Sequence, residues 1–101
     1  FFHFFFFFSI SLITWMDVMF GAIKYHQDQR TRMALSTFNI INISQDIAER
    51  SVALRQEYKL KLPDAIILAT AQLHRLELIT RNTKDFAGIP GVVTPYEIHP
   101  E

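Results

Sequence analysis

The stretch Leu62-Pro63-Asp64-Ala65-Ile66-Ile67-Leu68-Ala69-Thr70-Ala71 most limits what this chain can become. Pro63 suits the first position of a helix, where its missing N–H leaves no bond unmade. The residues after it are apolar on nearly every side, and a helix apolar all round is a buried one. Such a helix needs other layers of secondary structure around it. Asp64 then stands at the edge of a core, where a charge needs a partner. An acid in a first turn is also favoured by the helix dipole, which is a sufficient structural reason for its presence.

Around this helix, short β-branched runs alternate with helical ones. Ser9 to Ile13 reads as a buried strand. Thr14 offers an N-cap with Asp17 three residues on, a T-x-x-D capping box. The helix it opens runs to about Tyr25, with Val18, Met19, Ala22 and Ile23 as its apolar stripe. A short helix is expected over Gln29 to Ser36, and residues 38–43 carry strand spacing. Ser44 caps a further helix, which ends near Tyr58 and is lined by Ile47, Ala48, Val52, Ala53 and Leu54. The helix opened by Pro63 ends near His74. Leu76 to Thr80 is a strand, Arg81 to Gly91 a loop with a turn at Lys84 to Ala87, and Val92 to Thr94 a last strand. This alternation implies an α/β fold, a parallel sheet with flanking helices. In such sheets ligand sites gather beyond the carboxyl ends of the strands.

Seven of the first eight residues are Phe. That run lacks the basic segment and small-residue cleavage site of a secretory signal. The apolar stretch it begins stops at Asp17, short of the roughly 20 residues a membrane helix needs. Residues 1–8 are therefore read as a low-complexity lead, and 9–101 as one partial domain. Without cysteine there is no disulfide or thiolate metal site, which fits a reducing cytoplasm. With a net charge of zero, no global field argues for nucleic acid. The local pairs Arg30 and Arg32, Lys59 and Lys61, and Arg81 and Lys84 read first as solvated surface.

Three acids map to ends of elements on one expected rim: Asp17, Asp64 and Asp85. Each has a bland explanation. Asp17 caps a helix, Asp64 complements a dipole, and Asp85 belongs to a turn with Asn82 and Thr83. Taken together they repel one another unless a cation sits between them. All-oxygen donors favour Mg²⁺ or Mn²⁺, ions that orient a phosphodiester and activate water. Asn82 and Thr80 are placed to support the carboxylates or a bound water, with Thr14 as a further hydroxyl. Arg81 and Lys84 are placed to hold substrate phosphates. The histidines fit no ligand spacing, and His26 and His74 read as helix ends. No nucleophile elbow, phosphate loop or zincin motif is present.

At these residues the chain resembles the PIN-domain family, and within it the VapC-like toxins of toxin–antitoxin pairs. Ser11-Leu12-Ile13-Thr14-Trp15-Met16-Asp17-Val18-Met19-Phe20-Gly21 resembles the family's second strand and following helix, with Asp17 in place of the usual Glu. Leu60-Lys61-Leu62-Pro63-Asp64-Ala65 is similar to its central acidic motif, and Thr80-Arg81-Asn82-Thr83-Lys84-Asp85-Phe86 to its last. The resemblance implies a three-layer α/β/α fold. It also implies Mg²⁺- or Mn²⁺-dependent ribonuclease activity on RNA, homodimers, and an antitoxin partner. Asp17, Asp64 and Asp85 then become metal-binding and catalytic acids.

One departure stands out. Family members begin with a strand ending in an Asp-Thr/Ser-Asn-like motif, which supplies a first acid from the middle of the sheet, and no such motif occurs here. The expectation is an N-terminally truncated domain with its first strand missing and its catalysis impaired. The competing expectation is a non-enzymatic remnant that acts only as a protein-binding module. A flavodoxin-like nucleotide module is weaker still, because Thr14-Trp15-Met16-Asp17 is not a phosphate loop.

Overall fold

The computed structural model describes residues 3–5, 8–80, 82 and 84–93. In chain order the elements are β1 (Phe4–Phe5), β2 (Ser9–Ser11), α1 (Leu12–Lys24), α2 (Asp28–Leu35) and β3 (Asn39–Ile41). They continue with α3 (Gln45–Tyr58), α4 (Leu62–Leu73), β4 (Leu78–Ile79) and β5 (Val92–Val93). The five strands form one sheet in the order β3-β2-β1-β4-β5. β2 runs parallel to β3, with α1 and α2 between them as a parallel crossover requires, and β4 runs parallel to β5 across a long connection. The fold is thus α/β, with parallel strand pairs flanked by helices.

The middle of the sheet holds a departure from expectation. β1 comes from the Phe run read as a lead, and it pairs antiparallel with both β2 and β4. Part of residues 1–8 is therefore inside the sheet. The register explains why a run of identical side chains can be placed there. Phe5 pairs with Ser9 across the turn and with Leu78 on the other side, and its own side chain is 1% exposed. The turn is tight: Phe8 has φ of +52°, a conformation that costs a bulky L-residue about 1 kcal/mol or more.

Two apolar clusters flank the sheet. The larger joins α3 and α4 to the strands through Ile47, Leu54, Ala65, Ile67, Leu68, Ala69 and Ala71, with Phe5, Ile41, Leu78 and Phe86. The smaller packs Ile10 of β2 against Met19 of α1 and Leu35 of α2. α4 is the buried helix its sequence implies. Two of its hydroxyl-bearing or charged residues, Thr70 and Asp64, are buried too, and Thr70 satisfies its Oγ1 by donating to the Ile66 carbonyl at 2.7 Å.

Helix ends account for most boundary shifts. The Ser44 side chain accepts from the Ile47 N–H at 3.2 Å, the expected cap of α3. At α1, the cap is Ser11 and not Thr14: the Ser11 Oγ accepts from the Ile13 N–H, and the helix begins at Leu12. The strand therefore stops at Ser11, and Asp17 lies in the second turn, outside any capping box. The last strand pair is short, and Thr94 lies outside the described residues.

If β1 is a true part of the core, truncating its buried ring is costly and truncating the exposed ring beside it is not. Phe5→Ala is expected to lower unfolding free energy by about 3–5 kcal/mol. Phe8→Ala is expected to change it by less than about 1 kcal/mol, since Phe8 is 71% exposed and its ring meets Phe38 edge-on. Urea unfolding midpoints compare the two, and equal losses would place the Phe run outside the core.

Candidate acidic rim at the carboxyl ends of the strands

The antiparallel placement of β1 decides what stands at the rim. Because β1 runs against β2 and β4, its beginning lies where those strands end. Phe4 pairs with Ile79 and Phe5 with Ser9, so one step back His3 falls beside Thr80 on one side and Ser11 on the other. The imidazole is buried at 7% exposure. Its Nδ1 lies 2.7 Å from the Thr80 Oγ1, and its ring meets Phe86 edge-on with centroids 5.8 Å apart. Its Nε2 lies 3.9 Å from Asp64 Oδ1.

Thr80 links this histidine to the last acidic motif. Its Oγ1 also accepts the Asn82 N–H at 3.0 Å. The Asn82 side-chain amide then donates to Asp85 Oδ2 at 2.9 Å, while the Asp85 N–H donates to the Asn82 Oδ1 at 3.2 Å. Thr80, Asn82 and Asp85 thus form one hydrogen-bonded chain, in keeping with the turn reading of Asn82 and Asp85. Lys84 is exposed beside it, and Arg81 lies outside the described residues.

Asp64 reaches the rim from the first turn of α4 and is 8% exposed. Burial pushes its carboxyl above the usual carboxylate range; the neighbouring Asp85 and, more weakly, Asp17 act in the same sense, against Lys61. Asp64 is therefore the acid on which the charges of the other two bear. Asp17 itself is exposed on α1. Thr14, one turn before it, buries its Oγ1 with no hydrogen-bond partner among the described residues.

His3 was not singled out by sequence reasoning. Its one signal is that it is the only polar residue within an eight-residue apolar run, and a buried polar group in a strand has to find a partner. Burial lowers its pKa from 6.5 to about 4, opposed by the charge of Asp17. At neutral pH it is an uncharged imidazole, so its 3.9 Å approach to Asp64 is no ion pair. With Nε2 facing a carboxylate, the favoured tautomer carries its proton there and accepts the Thr80 hydroxyl proton at Nδ1.

These side chains do not fit a divalent cation as they stand. Among the described residues no group of three or more His, Cys, Asp or Glu is placed to hold a metal ion. Asp85 is engaged by Asn82, Asp17 is exposed, and Asp64 has a neutral nitrogen base 3.9 Å away, not the hard oxygen that Mg²⁺ prefers.

The α/β architecture, with helices flanking a sheet of parallel strand pairs, defines the class. The chain belongs to the PIN-domain family, whose model matches residues 8–92. A chain of a toxin-antitoxin complex from Klebsiella pneumoniae is 94% identical to it, with a TM-score of 0.85, over 89% of this chain and 75% of that one. A chain of the DNA-bound VapBC from Salmonella typhimurium is 25% identical, with a TM-score of 0.72, over 83% of this chain and 70% of that one. No curated protein matches the chain. Within its family the chain is VapC-like.

The buried imidazole sets an acid sensitivity. Its pKa is lower folded than unfolded, so the unfolded chain takes up the proton first as pH falls. The stability it contributes is complete above 6.5 and is lost on descent to about 4. That loss is expected to reach at most about 3 kcal/mol. Asp64 acts in the opposite sense: its raised pKa makes its ionisation weaken the fold as pH rises above 3.8. His3→Gln is expected to flatten the fall in melting temperature between pH 6.5 and 4, and an unchanged profile would place the titrating group elsewhere.

Proposed function

We propose that this chain is the VapC-like toxin component of a toxin–antitoxin pair, a PIN domain of the Mg²⁺- or Mn²⁺-dependent ribonuclease type. Its own nuclease activity on RNA is impaired. The assignment to the pair is supported by the 94% identity to a chain of a toxin-antitoxin complex over most of the sequence. The site reading is supported by Asp64, whose carboxyl is raised by burial and by the charges of Asp85 and Asp17. In an active enzyme of this type these acids would hold the ion, Asn82 and Thr80 would support them, and Arg81 and Lys84 would face substrate phosphates.

The observation that carries the impairment is His3. The central strand brings a neutral imidazole to the rim in place of a carboxylate, and the remaining acids are not drawn together into a metal cluster among the described residues. Fewer negative ligands mean weaker binding of a hard cation.

A second reading is favoured by a separate feature. Met16, Phe20 and Ile23 recur at helical spacing on the outer side of α1, where Phe20 is 77% exposed. A contiguous exposed apolar stripe is the mark of a protein-binding surface. A non-enzymatic module that binds its antitoxin, or pairs with a second copy, would need that stripe and no metal. No helix among the described residues is long and apolar enough to cross a membrane, and the proposed setting is the cytoplasm.

Incubation with single-stranded RNA and Mg²⁺ or Mn²⁺ tests the first reading. Cleavage is expected to be no greater than that of the Asp64→Asn variant. Co-expression with the cognate antitoxin is expected to yield a complex all the same. Cleavage that disappears on Asp64→Asn would overturn the impairment, and failure to recover the complex would remove the protein from the pair.

A further inference from the structure

Taking the rim as that of a PIN nuclease, we infer that His3 is an internal plug: its imidazole fills the space between Asp64 and Thr80 in which a divalent cation would have to sit. Three observations converge on this. The ring is bonded to Thr80 at 2.7 Å and meets the Phe86 ring edge-on, with Asp64 3.9 Å away. It is 7% exposed, so the space it takes is shut off from solvent. Its partner Thr80 is the head of the chain that continues through Asn82 to Asp85, so the same bond that seats the ring belongs to the network that ties up an Asp85 oxygen.

The sheet enforces this placement. β1 is hydrogen-bonded between β2 and β4, and Phe5 is locked into the larger apolar cluster two residues from the imidazole. A cation entering the rim would have to displace the ring, break its bond to Thr80 and move the start of a central strand. An ion that needs near-octahedral oxygen ligands gains little in return from a neutral nitrogen and one reachable carboxylate. The plug therefore leaves the acids in place and the rim closed. The route to an open rim is a change at a single position: a shorter side chain vacates the space, and a carboxylate there adds the missing oxygen donor.

Mn²⁺ alone serves as probe, with the full chain, and binding is read by the loss of the free-ion electron paramagnetic resonance signal and by calorimetry. Circular dichroism melting shows that each variant is folded. The wild-type chain is expected to leave millimolar Mn²⁺ free. His3→Asp is expected to bind it at least about tenfold more tightly than wild type, because ligand charge governs affinity at such sites. His3→Asn, which keeps an acceptor toward the Thr80 hydroxyl in a smaller volume, is expected to fall between the two and carries the test if the aspartate variant does not fold. Adding Asp64→Asn to either is expected to abolish the gain. Binding by wild type equal to that of His3→Asp would overturn the plug while leaving the acidic rim as a metal site. Binding by none of them would overturn the plug and the metal-site reading together. Binding that survives Asp64→Asn would place the ion elsewhere and overturn the plug.

Discussion

The pairing of β1 between β2 and β4 is the constraint on which the rest of the structure depends. A side-chain period of two means that a slip by one residue exchanges the faces of a strand. Most strands resist such a slip through alternation of apolar and polar residues. A run of Phe has no alternation, so nothing within it distinguishes one register from the next. What fixes it here lies at its borders. His3 is the one polar side chain in the run, and it bonds Thr80. Ser9 begins the next strand opposite Phe5. A shift by one would put an imidazole among apolar side chains and remove its partner, a cost of about 1–3 kcal/mol. The hydrogen bond thus sets the register, and the register carries Phe5 into the core.

The same pairing joins the fold to its rim. In a sheet built only from parallel crossovers, every strand presents its end to the rim. An antiparallel strand in the centre presents its beginning. Chemistry at the heart of the rim is therefore supplied by the first described residue of the chain. That residue is a neutral base where the surrounding acids would call for a cation. The unrelieved repulsion is visible in Asp64, whose carboxyl is raised by burial and by Asp85 and Asp17. Stability and function oppose each other at this point: the imidazole that fixes the strand is also the group that keeps the acids from converging on an ion.

Much of the architecture was legible in local patterns. Ser44 as a cap, α3 ending at Tyr58, and α4 as a buried helix all follow from capping chemistry and periodicity, which act over a few residues. The turn at Asn82 and Asp85 was legible for the same reason. The start of α1 was misjudged because Ser11 and Thr14 are both competent caps. The choice between them depended on where β2 stops pairing with β3, which is a long-range matter. His3 escaped because its nearest partner Thr80 is 77 residues away in sequence.

The sequence by itself determined the order of strands and helices, the family, and the presence of acids at element ends, since these are written in neighbours along the chain. Only the tertiary structure decided that the Phe run enters the sheet, that it runs antiparallel, and that a histidine stands at the rim's centre. The physical reason is that a homopolymeric apolar run carries no pattern of its own. Its position and direction come from pairing with β2 and β4 and from the His3–Thr80 hydrogen bond, and neither exists until distant parts of the chain have met.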